Sequence, residues 1–295
     1  MEIVVFGAGS LGSVIGGLLA RKHPVTLVGR APHINAIRET GLTITGEIEA
    51  HVTPDAETTV PGSADLVIVT VKAYDTTAAA EQLADCDCDA VLSLQNGIGN
   101  EATLAAALDA HVLAGTATYG AMFDEPGAVT CTGVGEIVLG DPDGGHSQIA
   151  DHVGDAFRTA GIETTVDDDM PRRRWEKLAV NAAVNATTAL ARVENGELVE
   201  GAGGAVAADA ARETARVARE QGVALSDERA LSLTRQVVRD TAANRSSMLQ
   251  DVAAGRRTEI DAINGYVVRV ADGPVPVNET LVRLVRTWST RNSTR

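Results

Sequence analysis

The first 166 residues alternate between short apolar runs and longer segments in which apolar residues recur every three or four positions. Runs rich in Val, Ile and Leu are typical of buried strands, and the longer spacing is typical of helices. The alternation predicts strands at 3–6, 25–28, 66–71, 90–94, 112–115 and 163–166, and helices at 11–21, 32–40, 76–83, 100–108 and 152–160. This order favours a mainly parallel, doubly wound α/β sheet.

Two pairs of segments within this half have the patterns of shorter, antiparallel strands. Residues 42–44 and 48–52 predict a β-hairpin. Residues 127–132 and 135–139 predict a second antiparallel pair, followed by a turn rich in Asp and Gly.

The pattern changes at three aspartates, residues 167–169. From Pro171 onward, Ala, Leu, Arg and Val recur at helical spacing, and Pro171 suits the first turn of a helix. We therefore predict two domains, an α/β domain over residues 1–168 and an all-helical domain over residues 169–295. In an α/β sheet of this type, ligands bind at the carboxyl ends of the strands.

A glycine-rich loop, G-A-G-S-L-G, joins the first predicted strand to the first predicted helix. In such a loop Gly7 permits the tight turn, Gly9 lets the backbone approach a pyrophosphate, and Gly12 lets the helix pack against the sheet. The helix N-terminus also favours the negative phosphates. The motif predicts a dinucleotide site, and a tight turn without a ligand is the alternative. The site would be lined by Gly7, Ala8, Gly9, Ser10, Leu11 and Gly12.

Three polar side chains follow predicted strands at the edge where the dinucleotide would lie. Arg30 follows the second strand, where an acidic residue would favour NAD and an arginine favours the 2′-phosphate of NADP, with a solvated surface arginine as the alternative. Lys72 follows the third strand, where it would contact the same phosphate or cover the adenine side, with a surface lysine as the alternative. Asn96 follows the fourth strand, where its amide would bind cofactor or substrate, although Asn-Gly is also a common turn pair.

The predicted helical domain contains a polar stripe. Lys177, Asn181 and Asn185 are spaced by four residues, so they lie on one side of a helix among apolar neighbours. Buried asparagine needs hydrogen-bond partners, which indicates either a ligand site or a polar network between helices. All six histidines precede this domain, so Lys177 is the best candidate there for a general acid.

A second polar set lies further along the helical domain. Asn244, Ser247 and Asp251 are spaced by three and four residues, and Glu259 precedes another apolar helical segment. Capping and surface positions are the alternative interpretations of these residues.

The composition narrows the class of protein. The net charge of -15 argues against nucleic-acid binding, and no apolar run is long enough to span a bilayer. The chain opens directly on a predicted strand, so we expect no signal peptide and a cytoplasmic location. The three cysteines lack the spacing of a zinc site, so we expect reduced thiols and no bound metal.

The cationic residues are unusually biased. Of the 25 Lys and Arg residues only Lys22, Lys72 and Lys177 are lysines, and aromatic residues make up 3% of the chain. Scarce lysine with abundant carboxylates predicts a protein adapted to high salt, and a GC-rich genome is the alternative explanation.

Together these motifs resemble the ketopantoate reductase family over essentially the whole chain. The resemblance lies in the glycine loop, Gly29-Arg30, Val71-Lys72-Ala73, Gln95-Asn96-Gly97, the run R-R-W-E-K-L-A-V-N-A-A-V-N at 173–185, N-G-E-L at 195–198 and the long run at 244–268. It implies a Rossmann-type domain followed by a helical domain similar to the C-terminal fold of 6-phosphogluconate dehydrogenase.

The resemblance also implies roles for individual residues. Lys177 matches the catalytic general acid, and Glu259 matches an acid that binds the substrate hydroxyl, steadies the lysine and lies at the cofactor. Arg30 and Lys72 match contacts to the 2′-phosphate of NADPH, and Asn96 matches a residue at the nicotinamide and the substrate. The remaining matches are substrate contacts: Asn181, Asn185, Asn195, Asn244 and Ser247.

The implied activity is NADPH-dependent reduction of 2-dehydropantoate (ketopantoate) to (R)-pantoate in pantothenate and coenzyme A biosynthesis. A paralogous NAD(P)H-dependent reductase of another branched 2-oxo acid is the first alternative. A non-catalytic NADP(H)-sensing protein is the second. A homodimer is compatible with the sequence.

Overall fold

The computed structural model describes the backbone of residues 1–292 and the side chains of residues 1–289. Contacts divide the chain into two compact units, Met1–Gln95 with Gly99–Met170, and Asn96–Ile98 with Pro171–Arg295. The division at 170/171 lies two residues after the sequence-derived boundary at 168/169. The sequence pattern did not anticipate that Asn96–Ile98 would group with the helical unit.

The first unit is built on an eight-stranded sheet with the order β12-β11-β8-β7-β6-β1-β2-β5. All neighbours are parallel except β8 and β11. The strands are β1 (Ile3–Phe6), β2 (Val25–Val28), β5 (Asp55–Glu57), β6 (Ser63–Val69), β7 (Asp87–Ser93), β8 (His111–Ala117), β11 (Ile137–Gly140) and β12 (Thr164–Val166). The mainly parallel α/β architecture is as the sequence predicts.

Helices cover both faces of this sheet. Alternate side chains of a strand point to opposite faces, so Ile3 and Val5 belong to one buried cluster while Val4 and Phe6 belong to another. Strands buried on both faces appear as continuous apolar runs, which explains why the sequence pattern found them. The helices of this unit are α1 (Ser10–Leu19), α2 (Ala31–Thr40), α3 (Thr76–Leu83), α4 (Asn100–Ala105) and α5 (Gln148–Thr159).

A separate four-stranded sheet has the order β4-β3-β10-β9. Its strands are β3 (Leu42–Gly46), β4 (Ala50–Val52), β9 (Gly120–Glu125) and β10 (Ala128–Gly133). The β3–β4 hairpin is confirmed. The second predicted antiparallel pair is wrong, because β10 pairs with β9 and β3 whereas β11 lies in the main sheet beside β8. Neither β9 nor β5 was predicted, because both short strands are mostly exposed and lack an apolar run.

The second unit is helical, as predicted. It contains α6 (Met170–Ala191), α7 (Gly201–Glu220), α8 (Asp227–Asp240), α9 (Ser247–Ala253), α10 (Asn264–Val270) and α11 (Pro276–Asn292). Met170, the first residue of α6, is grouped with the first unit. Its helices share one apolar core. A buried polar network adds to that core: Asn264 Nδ2 donates to Asn278 Oδ1 and to the Ala182 carbonyl, both at 2.9 Å. Among the described residues, no helix combines the length and the hydropathy needed to cross a membrane.

Candidate active site

The glycine loop lies between β1 and α1, at the carboxyl end of a central strand. The Thr70 hydroxyl donates to the Gly7 carbonyl at 2.9 Å, which holds the turn. A Cβ on Gly12 would lie 2.4 Å from the Gly7 carbonyl oxygen, so only glycine fits where the helix begins. Gly9 is exposed, and within the described chain no side chain caps the N-terminus of α1. An exposed backbone turn at the positive end of a helix fits the pyrophosphate of a dinucleotide.

Two cationic side chains of the same unit follow β2 and β6, the strands on either side of β1. Arg30 is exposed and takes the N-cap position of α2, two residues after the end of β2. Lys72 is partly buried and precedes a single 3₁₀ turn, Ala73–Asp75, which leads into α3. The positions of Arg30 and Lys72 fit a second anionic group on the ribose of a dinucleotide.

Lys177 lies in the second turn of α6, among buried apolar residues that include Leu178 and Val180. Burial lowers the pKa of the Lys177 ammonium from its ordinary 10.5 to about 8, and the negative charge of Glu259 opposes this by raising the pKa. Burial therefore dominates, since it disfavours the charged ammonium more than one carboxylate favours it. A lysine with this pKa can give up a proton near neutral pH.

Glu259 connects Lys177 to Asn96. The Glu259 side chain is 6% exposed, and its Oε2 accepts a hydrogen bond from Asn96 Nδ2 at 3.1 Å. A carboxylate can only accept here, so the contact orients the Asn96 amide with its NH₂ toward Glu259. The structure thus brings Asn96, Lys177 and Glu259 into one electrostatic cluster within the helical unit.

Gly97 follows Asn96 in the segment after β7 and helps to place Asn96 beside Glu259. Its φ is 87°, a left-handed conformation that favours glycine. A Cβ there would also lie 2.5 Å from the Ala262 carbonyl oxygen. The close approach of residue 97 to the segment after Glu259 keeps Asn96 beside the carboxylate.

The two asparagines of the predicted stripe continue along α6 from Lys177. Asn181 is partly buried and Asn185 is 5% exposed. Their spacing of four residues on one continuous helix puts them on the Lys177 side of α6, as the sequence predicts.

The second polar set is distributed differently. Ser247 is exposed at the first position of α9, whereas the neighbouring Ser246 is buried and caps the helix by accepting from the Leu249 N–H at 3.1 Å. The Ser246 hydroxyl also shares a 2.7 Å hydrogen bond with Thr188 of α6. Sequence reasoning overlooked this cap, although a Ser-Ser pair before an apolar helical segment is a recognisable signal.

Asn195 and Asn244 lie side by side, joined by a 3.0 Å hydrogen bond from the Asn195 N–H to the Asn244 carbonyl. Asn195 Nδ2 donates to the Thr241 hydroxyl at 2.9 Å, and its Oδ1 is buried without a hydrogen-bond partner in the described chain. The buried Asp251 accepts from Arg256 at 3.1 Å, which ties α9 to the segment leading to Glu259.

Comparisons with known proteins agree with these features. A family model described as ketopantoate reductase PanE/ApbA matches residues 3–144, and the model of the C-terminal part of the same family matches residues 169–289. The chain is similar to 2-dehydropantoate 2-reductase of Halobacterium salinarum, with 46% identity over 97% of this chain and 98% of the relative. The enzyme of the same name from Archaeoglobus fulgidus is 40% identical over 97% of both chains.

Solved structures lead to the same family. A PanE/ApbA family ketopantoate reductase from Ralstonia eutropha superposes with a TM-score of 0.91 at 35% identity, covering 99% of this chain and 100% of that one. A ternary complex of D-mandelate dehydrogenase with NADH and anilino(oxo)acetate superposes with a TM-score of 0.93 at 25% identity and the same coverage.

Proposed function

Because the chain belongs to the ketopantoate reductase family, we propose that it reduces 2-dehydropantoate to (R)-pantoate with NADPH as the hydride donor. The observation that carries the proposal is the partly buried lysine of α6, whose pKa is about 8 beside the carboxylate of Glu259. A reductase of a keto group needs a group that is protonated near neutral pH and can still release its proton.

Lys177 acts on the oxygen of the substrate carbonyl. When bound, the reduced nicotinamide supplies a hydride to the carbonyl carbon. As negative charge develops on the oxygen, the Lys177 ammonium stabilises it and then gives it a proton. With a pKa of about 8, roughly nine-tenths of the lysine is protonated at pH 7.

Glu259 and Asn96 hold the acid and the substrate in place. The negative charge of Glu259 keeps more of Lys177 protonated than burial alone would allow. Its carboxylate is fixed by the Asn96 amide and can accept the substrate hydroxyl, which would orient the substrate. We extend the proposal to contacts of Asn181, Asn185, Asn195, Asn244 and Ser247 with the substrate.

The glycine loop, Arg30 and Lys72 would hold the cofactor. The loop receives the pyrophosphate, and the two cations receive the 2′-phosphate that distinguishes NADPH from NADH. D-mandelate dehydrogenase, a similar structure, was solved with NADH, so the fold alone does not distinguish the two cofactors. The proposed preference for NADPH therefore rests on Arg30 and Lys72. A cytoplasmic location and a homodimer stay predictions.

The test is oxidation of NADPH on adding ketopantoate, measured for the wild type and for Lys177→Ala. We expect turnover by the wild type, and in Lys177→Ala a kcat that is lower by roughly 10²-fold with NADPH binding nearly unchanged. Arg30→Ala serves as the matched variant for the cofactor: it should weaken NADPH and leave NADH almost unaffected. Wild-type turnover by Lys177→Ala would refute the role of the lysine.

A reductase of another 2-oxo acid is the second candidate, since D-mandelate dehydrogenase superposes at a TM-score of 0.93. The values of kcat/KM for ketopantoate and for the 2-oxo acid that corresponds to mandelate separate the two activities. A higher value for the second acid would assign the chain to the paralogous activity. Tight NADPH binding without turnover of either acid would instead favour a sensing protein.

A further inference from the structure

Gln95 is a buried side chain with several hydrogen bonds at the end of β7. It is 6% exposed and belongs to the first unit, one residue before Asn96. Its Nε2 donates to the Val71 carbonyl at 3.0 Å and to the Thr76 hydroxyl at 2.8 Å. Its Oε1 accepts from the hydroxyl of the buried Ser93 at 3.3 Å. Both donors of the amide and one acceptor site are therefore used.

The Val71 carbonyl determines the orientation of this amide. A carbonyl can only accept, so the NH₂ group must face Val71, and the oxygen is left to face Ser93. Thr76 completes the arrangement, because its hydroxyl lies 2.9 Å from Asn100 Oδ1 and can donate there while accepting from Gln95. The network is buried, so each of these hydrogen bonds is costly to lose.

The two groups that Gln95 holds enclose one short segment. Val71 is the residue before Lys72, and Thr76 is the residue after the 3₁₀ turn Ala73–Asp75. One side-chain amide thus fastens both ends of residues 72–75, the segment that carries Lys72.

We propose that Gln95 is a positioning residue for Lys72, and through it a determinant of the preference for NADPH over NADH. The inference rests on the proposed function, in which Lys72 contacts the 2′-phosphate. A segment whose two ends are held in place before the cofactor arrives loses less conformational freedom on binding, which favours the ligand that its lysine contacts. NADH lacks the 2′-phosphate, so its affinity should depend little on Gln95.

The experiment measures the Kd of NADPH and of NADH for the wild type, Gln95→Met, Lys72→Ala and the double variant. Gln95→Met keeps the length of the side chain and removes its hydrogen bonds. We expect it to raise the Kd of NADPH about tenfold and that of NADH less than about twofold, in line with the loss of buried hydrogen bonds. In the Lys72→Ala background the same substitution should change the Kd of NADPH by less than about twofold, because residues that act together are not additive.

A matched control separates positioning from a general loss of stability. Thr164→Val removes a buried hydroxyl of the same unit, at the start of β12, which donates to the Ile162 carbonyl at 2.9 Å. It should lower the melting temperature without changing the ratio of the two affinities. If Gln95→Met does not fold, Gln95→Glu keeps the acceptor for Ser93 but turns an oxygen toward the Val71 carbonyl. Its NADPH affinity should then recover, relative to the wild type, as the pH falls and the new carboxyl is protonated.

Several outcomes overturn the inference. The first two are an unchanged Kd of NADPH in Gln95→Met, and a Kd that rises equally for NADPH and NADH. The third is a rise of about tenfold in the Kd of NADPH when Gln95→Met is made in the Lys72→Ala background. The fourth is a loss of NADPH affinity in Gln95→Glu that does not depend on pH. Parallel measurement of ketopantoate turnover distinguishes failure of the proposed function. A wild type that binds NADPH without turning over ketopantoate refutes the reaction, and the Kd values still decide whether Gln95 positions Lys72.

Discussion

Replacing Glu259 with Gln removes the negative charge that opposes the effect of burial on Lys177. Burial lowers the pKa of Lys177 from 10.5 to about 8 even with Glu259 present. That difference corresponds to roughly 3 kcal/mol against the charged form, since one pKa unit is about 1.4 kcal/mol. Without the carboxylate, the pKa of Lys177 falls below its wild-type value. The proton that the reaction needs is then lost at a lower pH.

The consequence appears in the pH dependence of kcat/KM, which reports the pKa of the free enzyme. A general acid must be protonated, so the wild-type kcat/KM should be half-maximal at pH about 8 and fall about tenfold per pH unit above it. Glu259→Gln should move this alkaline limb to lower pH. The substituted amide can still accept from Asn96 through its oxygen, so the local arrangement is retained. A rise in KM from a weaker contact with the substrate hydroxyl lowers kcat/KM at every pH and leaves the position of its alkaline limb unaffected.

The assay is NADPH oxidation with varied ketopantoate over a range of pH, which gives kcat/KM at each pH, with Glu176→Gln as the matched control. Glu176 of α6 is a buried carboxylate like Glu259, but it pairs with Arg229 at 2.8 Å and with Arg173 at 3.9 Å, and it is not among the causes of the Lys177 pKa shift. Its neutralisation should leave the limb where it is. A limb that stays in place or moves to higher pH in Glu259→Gln would refute the electrostatic coupling. An equal displacement in Glu176→Gln would show that the effect is not specific to Glu259.

Three other perturbations test separate parts of the molecule. Gly97→Ala should lower kcat and the melting temperature, because the new Cβ meets the Ala262 carbonyl at 2.5 Å in a backbone with φ 87°; retained activity would contradict this. Burial lowers the pKa of His33 below its ordinary 6.5, and its Nδ1 accepts from the Gly127 N–H at 3.0 Å. The stability due to neutral His33 is therefore present above about pH 6.5 and lost as the pH falls below it, so the melting temperature should fall more steeply in the wild type than in His33→Gln. Finally, a net charge of -15 predicts that dilution from molar to ~10 mM salt lowers the melting temperature, and an unchanged value would rule out salt dependence.

Local patterns determined much of the architecture. The strands at 3–6 and 25–28 have the bounds that their apolar runs predict, and they pair in parallel with each other. Helical periodicity likewise placed Lys177, Asn181 and Asn185 on one continuous helix. Such features can be predicted from the sequence because the buried positions of a strand or helix carry apolar residues at the period of that strand or helix.

The tertiary structure decided which polar groups meet. Asn96 and Glu259 are 163 residues apart, and no local pattern couples them. The same holds for the hydrogen bonds from Gln95 to Val71 and Thr76, and for β10, which pairs with β9 and β3 and not with β11. A hydrogen bond between distant residues depends on the course of every element between them, whereas the sequence near each residue records only its own burial and conformation. The lysine and its apolar neighbours were therefore evident from the sequence, which predicts a lowered pKa, and the fold decided that Glu259 is the carboxylate that opposes this effect of burial.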